Sequence, residues 1–214
     1  MKYILFSHGF GVKKDSRGMF SDIASAFPDY EAVMFDYNRV SNTTDEVIVE
    51  PYSSQAMLLD EELHRIYRSD SNAEVTLIGH SQGCIIPCLI TGIKISKAIL
   101  LAPPKVLGSK NRRDNQHEVS DNGDIKIPRK DGTTTIVTKS FIDELETTQP
   151  VTLYSELAKS VNTYMVIAKQ DEIIRDHDFS MLADQIAIHQ IDGDHNFTGM
   201  YRKGLLETLS ELLI

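Results

Sequence analysis

Residues 79–83 read Gly-His-Ser-Gln-Gly and follow a short apolar run over residues 73–78. A serine hydroxyl is a weak nucleophile, so it needs a base within hydrogen-bonding reach and a sharp turn that exposes its oxygen. Gly79 and Gly83 suit such a turn, because side chains two residues to either side of Ser81 would crowd it. A pattern this short arises by chance in roughly one chain in twenty, so its surroundings must support the interpretation.

The two partners that a nucleophilic serine requires follow later apolar runs. Asp171 comes shortly after residues 163–168, and His195 comes shortly after residues 187–191. The order serine, acid, histidine is that of enzymes whose nucleophile stands between a strand and a helix. In this arrangement His195 accepts the proton of Ser81, and Asp171 orients the imidazole and stabilises its cation.

Other carboxylates in the chain are alternatives to Asp171 as the acid. They are Asp36, Glu172, Asp176, Asp178, Asp192 and Asp194. The last two adjoin His195 in sequence and are poorly placed to reach its ring. For Asp36 we expect a hydrogen-bonded loop carboxylate at the end of an earlier strand.

Four of the other six histidines have an expected setting. His80 precedes the nucleophile and is expected to point toward the sheet, where it supports the turn rather than acting as the base. For His8 we expect a similar supporting role near the first strand. His117 and His177 lie in polar stretches and are predicted to be solvated.

The residues named above need elements that bring them to one place. Six short apolar runs are predicted strands, over 2–7, 30–35, 73–78, 95–101, 163–168 and 187–191. Amphipathic stretches between them are predicted helices, over 18–27, 53–69, 82–90, 178–185 and 197–213. The alternation predicts an α/β protein, with a mostly parallel sheet of about six strands flanked by helices. Sites in such sheets form beyond the carboxyl ends of the strands.

The predicted helix over 82–90 contains a proline and two cysteines that need separate interpretation. Pro87 has no N–H and crowds the carbonyl of Gly83, which predicts a kink or a locally widened turn. Cys84 and Cys88 are four residues apart and share a helical face. We interpret them as small buried core residues, because a redox or metal role would require Cys-x-x-Cys or further ligands.

The segment 102–158 differs from the rest, because it is rich in charge, Gly, Pro and Asn. Residues 124–127 and 133–138 flank an Asp-Gly turn, which predicts a hairpin, and 140–146 predicts a short helix. We interpret the segment as a cap or lid inserted in a single domain that spans 1–214. Its basic run, Lys110-Asn111-Arg112-Arg113, is expected to be solvated, with contact to a substrate carboxylate as the alternative.

Together, His8-Gly9-Phe10, the run 79–83, Asp171 and Gly193-Asp194-His195 resemble the motifs of the α/β-hydrolase superfamily. The resemblance covers residues 1–214 apart from the insertion. It implies an oxyanion hole formed by the backbone N–H groups of Phe10 and Gln82. Residues expected to support this site are His8, Gly9, Gly79, His80 and Gly83. The insertion is similar to the small caps of carboxylesterases, including those that act on hydroxycinnamate esters and monoacylglycerols.

The resemblance implies a serine hydrolase that cleaves small-molecule carboxylic esters with no metal or organic cofactor. A thioesterase, amidase or peptidase with the same triad is an alternative. An alternative of another class is a non-catalytic protein of the same fold that binds a ligand. The absence of a third glycine after Gly9 and Gly11 argues against a dinucleotide loop.

Composition sets broader limits. The 214 residues include 22 basic and 31 acidic side chains, for a formal net charge of −9, so nucleic acid and anionic membranes are not favoured partners. The apolar run at 3–6 is too short for a signal peptide, and no stretch has transmembrane length. We therefore expect a soluble cytoplasmic protein without stable membrane association, and the oligomeric state stays open.

Overall fold

The structure is a computed structural model that describes residues 1–40, 45–107, 118–129 and 132–213. Its strands are β1 (Lys2–Ser7), β2 (Glu31–Val33), β3 (Arg39–Val40), β4 (Glu46–Val49), β5 (Glu74–His80), β6 (Lys97–Leu101), β7 (Glu118–Val119), β8 (Ile125–Pro128), β9 (Thr134–Val137), β10 (Asn162–Ala168) and β11 (Ala187–Ile191). Its α-helices are α1 (Met19–Ala26), α2 (Tyr52–Ser69), α3 (Lys139–Thr147), α4 (Pro150–Ala158) and α5 (Tyr201–Leu212).

The main sheet has six strands in the spatial order β11-β10-β6-β5-β1-β2. All of its pairings are parallel, and its strands are the six that the apolar runs predict. Parallel strands require crossover connections, which here are mostly helical. The predicted α/β class with a mostly parallel sheet is confirmed.

Helices cover both faces of this sheet because its central strands are apolar on both sides. Successive side chains of a strand point to opposite faces, and in β5 Leu77 packs into one buried cluster while Ile78 packs into the other. The cluster around Leu77 includes residues of α2 and α4. The cluster around Ile78 includes residues of α1 and α5.

A second sheet, in the order β3-β4-β9-β8-β7, combines two distant parts of the chain. The antiparallel β8–β9 pair agrees with the predicted hairpin, although Lys130 and Asp131 of its turn lie outside the described residues. No strand is predicted over 39–49, yet β4 pairs in parallel with β9. A short strand with a partner this distant leaves no local signal.

The predicted helix over 82–90 is wrong, and two 3₁₀ turns, Ser81–Cys84 and Ile86–Leu89, take its place. An α-helix would need the N–H of residue 87 to donate to the carbonyl of Gly83. Pro87 has no N–H, and the Gly83 carbonyl instead accepts from Ser7 Oγ at 2.7 Å. The expected irregularity at Pro87 is therefore present over the whole segment.

Two other predicted helices are shorter than expected. Of 178–185, only Ser180–Leu182 forms a 3₁₀ turn, because a segment this short cannot nucleate a stable helix and Asp178 Oδ1 accepts from the N–H of Ser180 at 3.0 Å. The closing helix starts at Tyr201 rather than 197, since Phe197 and Gly199 have φ of 48° and 55°, which is incompatible with a right-handed helix.

Candidate active site

The turn after β5 holds Ser81 in a conformation that few residues adopt. Its φ is 54°, in the left-handed region that is uncommon for residues other than glycine. A Cβ on Gly83 would lie 2.0 Å from the Ser7 carbonyl oxygen, and one on Gly79 would lie 2.8 Å from the Gly83 carbonyl oxygen. Both glycines are therefore required by the close approach of backbone to backbone around the serine.

The structure brings Ser81, His195 and Asp171 into one hydrogen-bonded chain. His195 Nε2 lies 3.0 Å from Ser81 Oγ, and His195 Nδ1 lies 2.7 Å from Asp171 Oδ2. His195 and Asp171 are both buried. Because the carboxylate can only accept, Nδ1 carries the proton and Nε2 is left to accept from the serine hydroxyl.

The carboxylate of Asp171 is held ionised by its neighbours. Burial acts to raise its pKa, but hydrogen bonds from His195 and from the backbone N–H groups of Ile174 and Ile173 outweigh that effect, so the pKa lies below its usual value. The two backbone donors reach Asp171 Oδ1 at 2.7 and 2.8 Å. One oxygen is thus held by the loop and the other by the imidazole.

The loops that carry Asp171 and His195 are joined by further hydrogen bonds. Gln170 Oε1 accepts from the N–H of Gly193 at 2.7 Å, and the N–H of Gln170 donates to the Gly193 carbonyl at 2.9 Å. Glu172 Oε2 accepts from the backbone N–H of His195 at 3.2 Å. Glu172, an alternative acid in sequence terms, therefore contacts the backbone of His195.

The other candidate acids have partners away from the imidazole ring. Asp36 accepts from the N–H of Lys14 at 2.6 Å, and Asp176 forms an ion pair with Lys105 at 3.0 Å. Asp178 accepts from Ser180, Asp192 contacts Lys169 at 3.4 Å, and Asp194 accepts from Thr198. Among the described residues, the geometry favours Asp171 as the partner of His195.

The loop after β1 lies against Ser81. A Cβ built on Gly9 would be 3.3 Å from Ser81 Cβ. Phe10 directly follows Gly9, the point at which the loop approaches Ser81. Gln82 directly follows Ser81 in the first 3₁₀ turn, and its side chain donates from Nε2 to Gln55 Oε1 at 3.3 Å. The side chain of Gln82 therefore has its partner on α2.

His80 is a buried, neutral support. Its Nε2 lies 2.8 Å from the carbonyl oxygen of His195 and its Nδ1 lies 3.1 Å from Ser16 Oγ. Since a carbonyl only accepts, Nε2 donates and Nδ1 accepts from the serine. Burial and, next, the neighbouring His195 lower the pKa of His80 to about 3. Its ring therefore carries no charge near neutral pH.

His8 takes up the other side of the site. Its Nε2 accepts from the N–H of Tyr37 at 2.9 Å, so Nδ1 carries the proton and donates to the Gly9 carbonyl at 2.9 Å. Burial lowers the pKa of His8, although the Gly9 hydrogen bond and Asp36 act in the opposite direction. Neither Tyr37 nor Ser7, to which its hydroxyl is bonded, carries a signal in the sequence, because Tyr37 falls in a predicted loop and Ser7 ends the first predicted strand.

The remaining sequence predictions concern residues away from the three-residue chain. Cys84 and Cys88 are free cysteines, and burial raises the pKa of both thiols. His177 is half-buried rather than solvated. His117 and the basic run 110–113 lie outside the described residues.

Three features of the described residues bear on other kinds of site. No three metal-ligating side chains of His, Cys, Asp or Glu are grouped as a metal site would need. No helix there combines the length and apolar character needed to cross a membrane. A groove of about 1070 Å³ runs along α2, but its lining, which includes Ala56, Leu63, Leu89 and Ile93, contains none of the three hydrogen-bonded residues.

Sequence comparison identifies no relatives, whereas structural comparison does. No protein-family profile matches the chain, and no curated protein matches its sequence. Est1E from Butyrivibrio proteoclasticus with ferulic acid bound is similar in structure, with a TM-score of 0.73 and 13% identity, over 100% of this chain and 88% of that chain. A structure described with the metagenome-derived lipolytic enzymes LipS and LipT gives 0.69 and 13%, over 99% and 92%.

Two further solved structures extend the comparison. The esterase domain of a Rhodothermus marinus protein has a TM-score of 0.64 and 17% identity, over 98% of this chain and 85% of that chain. Tomato methylketone synthase I, as its H243A variant with β-ketoheptanoate, gives 0.66 and 13%, over 99% and 97%. Likenesses at this level of identity concern architecture, because one fold hosts many activities. Together with the parallel sheet and the serine in the turn after β5, they show that this chain has the α/β-hydrolase fold.

Proposed function

We propose that the protein is a serine hydrolase that cleaves carboxylic esters. The observation that carries the proposal is the chain of hydrogen bonds from Ser81 Oγ through His195 to Asp171, at 3.0 and 2.7 Å. The serine stands on a turn with positive φ, and the imidazole has its unprotonated nitrogen toward the hydroxyl. A nucleophile, a base within reach and a group that orients the base are the parts that acyl transfer needs.

In the first half of the reaction, Ser81 Oγ bonds to the ester carbonyl carbon while its proton passes to His195 Nε2. The carbonyl oxygen becomes an alkoxide, which the N–H groups of Phe10 and Gln82 stabilise as an oxyanion hole. The carbon–oxygen bond to the alcohol then breaks, and His195 gives its proton to the leaving alcohol. An acyl-enzyme on Ser81 remains.

In the second half, a water molecule attacks the acyl carbon as it gives a proton to His195. The tetrahedral intermediate collapses, the bond to Ser81 Oγ breaks, and His195 returns the proton to that oxygen. Asp171 stays ionised throughout and stabilises the imidazolium. Proton transfer is thus handled by His195, and the mechanism needs no metal or organic cofactor.

The similar structures support a proposal for the substrate class. Lipolytic enzymes and an esterase domain are among the similar structures, and one holds ferulic acid. We propose a small-molecule ester, in a single domain whose insertion, 102–158, acts as a cap. Phe141 of α3 supports this proposal, because the centroids of its ring and of the Phe10 ring are 5.7 Å apart.

A fluorophosphonate probe tests the nucleophile directly. We expect covalent labelling of Ser81, located by mass spectrometry, in the wild type and in the control Ser210→Ala, whose serine is on the exposed face of α5. Ser81→Ala should be unlabelled and should lose at least about a thousandfold in turnover of p-nitrophenyl esters. Folded wild-type protein that stays unlabelled at Ser81 would overturn the proposal.

The same preparations separate ester hydrolysis from its alternatives. A matched panel of p-nitrophenyl esters of increasing acyl length, thioesters and anilides should give the highest kcat/KM with an ester. A thioester or anilide that is preferred would instead indicate a thioesterase or amidase. Ligand binding without turnover of any member would indicate a non-catalytic protein of this fold.

A further inference from the structure

We infer that Tyr37, acting with Ser7, is a positioning residue that sets the geometry of the oxyanion hole. The inference rests on the proposed function, because it concerns the two N–H donors assigned to Phe10 and Gln82. Tyr37 lies between β2 and β3 and is 1% exposed. It reaches both sides of the hole through separate hydrogen bonds.

The first connection runs from the Tyr37 side chain to the turn that follows the nucleophile. Ser7 Oγ donates to the Gly83 carbonyl at 2.7 Å, and Tyr37 Oη lies 2.7 Å from Ser7 Oγ. Since the one hydroxyl proton of Ser7 goes to Gly83, the Tyr37 hydroxyl must be the donor to Ser7. This series holds the 3₁₀ turn that carries Gln82.

The second connection runs from the Tyr37 backbone to the loop after β1. The N–H of Tyr37 donates to His8 Nε2 at 2.9 Å, which requires that His8 Nδ1 carry the proton that it donates to the Gly9 carbonyl at 2.9 Å. That carbonyl belongs to the same planar peptide as the N–H of Phe10. Fixing the carbonyl therefore fixes the direction of the N–H.

The surrounding packing leaves these connections little freedom. A Cβ on Gly83 would lie 2.0 Å from the Ser7 carbonyl oxygen, so β1 and the turn are already in close contact. The Tyr37 ring packs against the rings of His8 and Phe35, each at 4.8 Å. Burial raises the pKa of Tyr37, which keeps its hydroxyl protonated as a donor. The two N–H donors of the hole are thus connected by hydrogen bonds to a single residue, one through the Tyr37 side chain and the other through the Tyr37 backbone.

If the role of Tyr37 were purely structural, its substitution would reduce stability without a specific effect on turnover. Tyr154 provides the matched control. Tyr154 is also fully buried, and its hydroxyl donates to the Pro104 carbonyl at 3.0 Å, outside the series of hydrogen bonds from Tyr37 through Ser7 to Gly83. Tyr37→Phe and Tyr154→Phe each remove one buried hydroxyl with one hydrogen bond. We expect similar losses of thermal stability from the two variants.

The kinetic readout separates positioning from stability. Tyr37→Phe should lower kcat on a short p-nitrophenyl ester by about tenfold with KM changed less than about twofold, since oxyanion contacts act mainly in the transition state. Tyr154→Phe should keep kcat within about twofold. Ser7→Ala should reproduce the loss of Tyr37→Phe, and the double variant should add little, because both act on Gly83. Equal kcat values for the two tyrosine variants would overturn the inference.

Amide exchange gives a second readout that does not depend on turnover. The N–H of Ile85 donates to the Gln82 carbonyl at 2.9 Å within the turn, and we expect its exchange to be faster in Tyr37→Phe than in Tyr154→Phe. Unlabelled Ser81 in the wild type would refute the proposed function. The comparison of Ile85 exchange in the two tyrosine variants would still show whether Tyr37 holds the turn. Unchanged Ile85 exchange together with unchanged kcat would refute the inference alone.

Discussion

At the residue scale, two imidazoles beside Ser81 differ because their partners differ. His195 has a carboxylate on Nδ1 and the serine hydroxyl on Nε2. His80 has a carbonyl and a serine hydroxyl as partners and is fully enclosed. The first arrangement stabilises an imidazolium, whereas the second stabilises the neutral ring. His80, which adjoins Ser81 in sequence, thus donates a hydrogen bond to the backbone carbonyl of His195.

The neutral state of His80 predicts acid lability of the fold. The folded state keeps His80 unprotonated down to a pKa of about 3, whereas the unfolded chain protonates it near its usual pKa of about 6.5. The unfolded state therefore binds more protons between these values. The free energy of unfolding should fall as pH falls below about 6.5, with a limiting slope of about 1.4 kcal/mol per pH unit from this residue.

Urea unfolding between about pH 4 and pH 7.5 measures this slope. The lowered pKa of His8 acts in the same direction over this range, so the wild type should lose stability steeply. His80→Gln retains an N–H near the Nε2 position and cannot titrate, so its slope should be shallower by about one proton. A slope unchanged by this substitution would contradict the assignment of His80 as a buried neutral ring.

At the element scale, the turn after β5 is set by contacts that are distant in sequence. Pro87 removes one helical hydrogen bond, and Ser7, from the first strand, occupies the carbonyl that the bond would have used. The result is a pair of 3₁₀ turns rather than an α-helix. The contact between this turn and β1 also leaves no room for a side chain at Gly83, because the two segments meet through backbone atoms.

Two Gly→Ala substitutions should have opposite effects on stability. At Gly83 the new Cβ would lie 2.0 Å from a backbone oxygen, so we expect a loss of at least about 3 kcal/mol or failure to fold. At Gly204, inside α5, the new Cβ meets nothing within 4 Å. Alanine there should add about 0.5–1 kcal/mol. Denaturant unfolding measures both, and equal changes at the two positions would contradict the steric argument.

Elements whose cause is local are predictable from the sequence, and elements whose cause is distant are not. β5 and β10 are predictable because apolar residues buried on both faces leave continuous runs. β4 is not, since its pairing with β9 leaves no local pattern. In the same way, the turn at Gly79 and Gly83 is visible in the motif, but the contribution of Tyr37 is visible only once β1 and β5 are paired.

The candidate site divides along the same line. The order of Ser81, Asp171 and His195 along the chain, with each residue after a strand, suffices to predict their proximity in a parallel sheet. Their catalytic roles, and those of Phe10 and Gln82, stay predictions for the experiments above. Glu172 and Gln170 could not be assigned from sequence, because their partners are backbone groups of a different loop.

At the scale of the whole molecule, the formal net charge of −9 affects which substrates can approach the proposed site. Long-range repulsion should slow the association of anionic substrates at low salt. We expect kcat/KM for a carboxylate-bearing ester to rise about two- to fivefold between about 10 and 300 mM NaCl, with little change for a neutral ester. A fall for the anionic ester would instead indicate a local basic contact, such as the run at 110–113.

The parallel pairing of β4 with β9 joins residues roughly ninety positions apart, with β5 and its nucleophile between them. During synthesis, β4 leaves the ribosome long before its partner exists, so its edge stays open to other strands in that interval. Contacts this distant form late, after the entropy of closing the loop has been overcome. We therefore expect the main sheet, which holds Ser81, to assemble ahead of the second sheet. The proposed cap, which contains β8 and β9, would then form last.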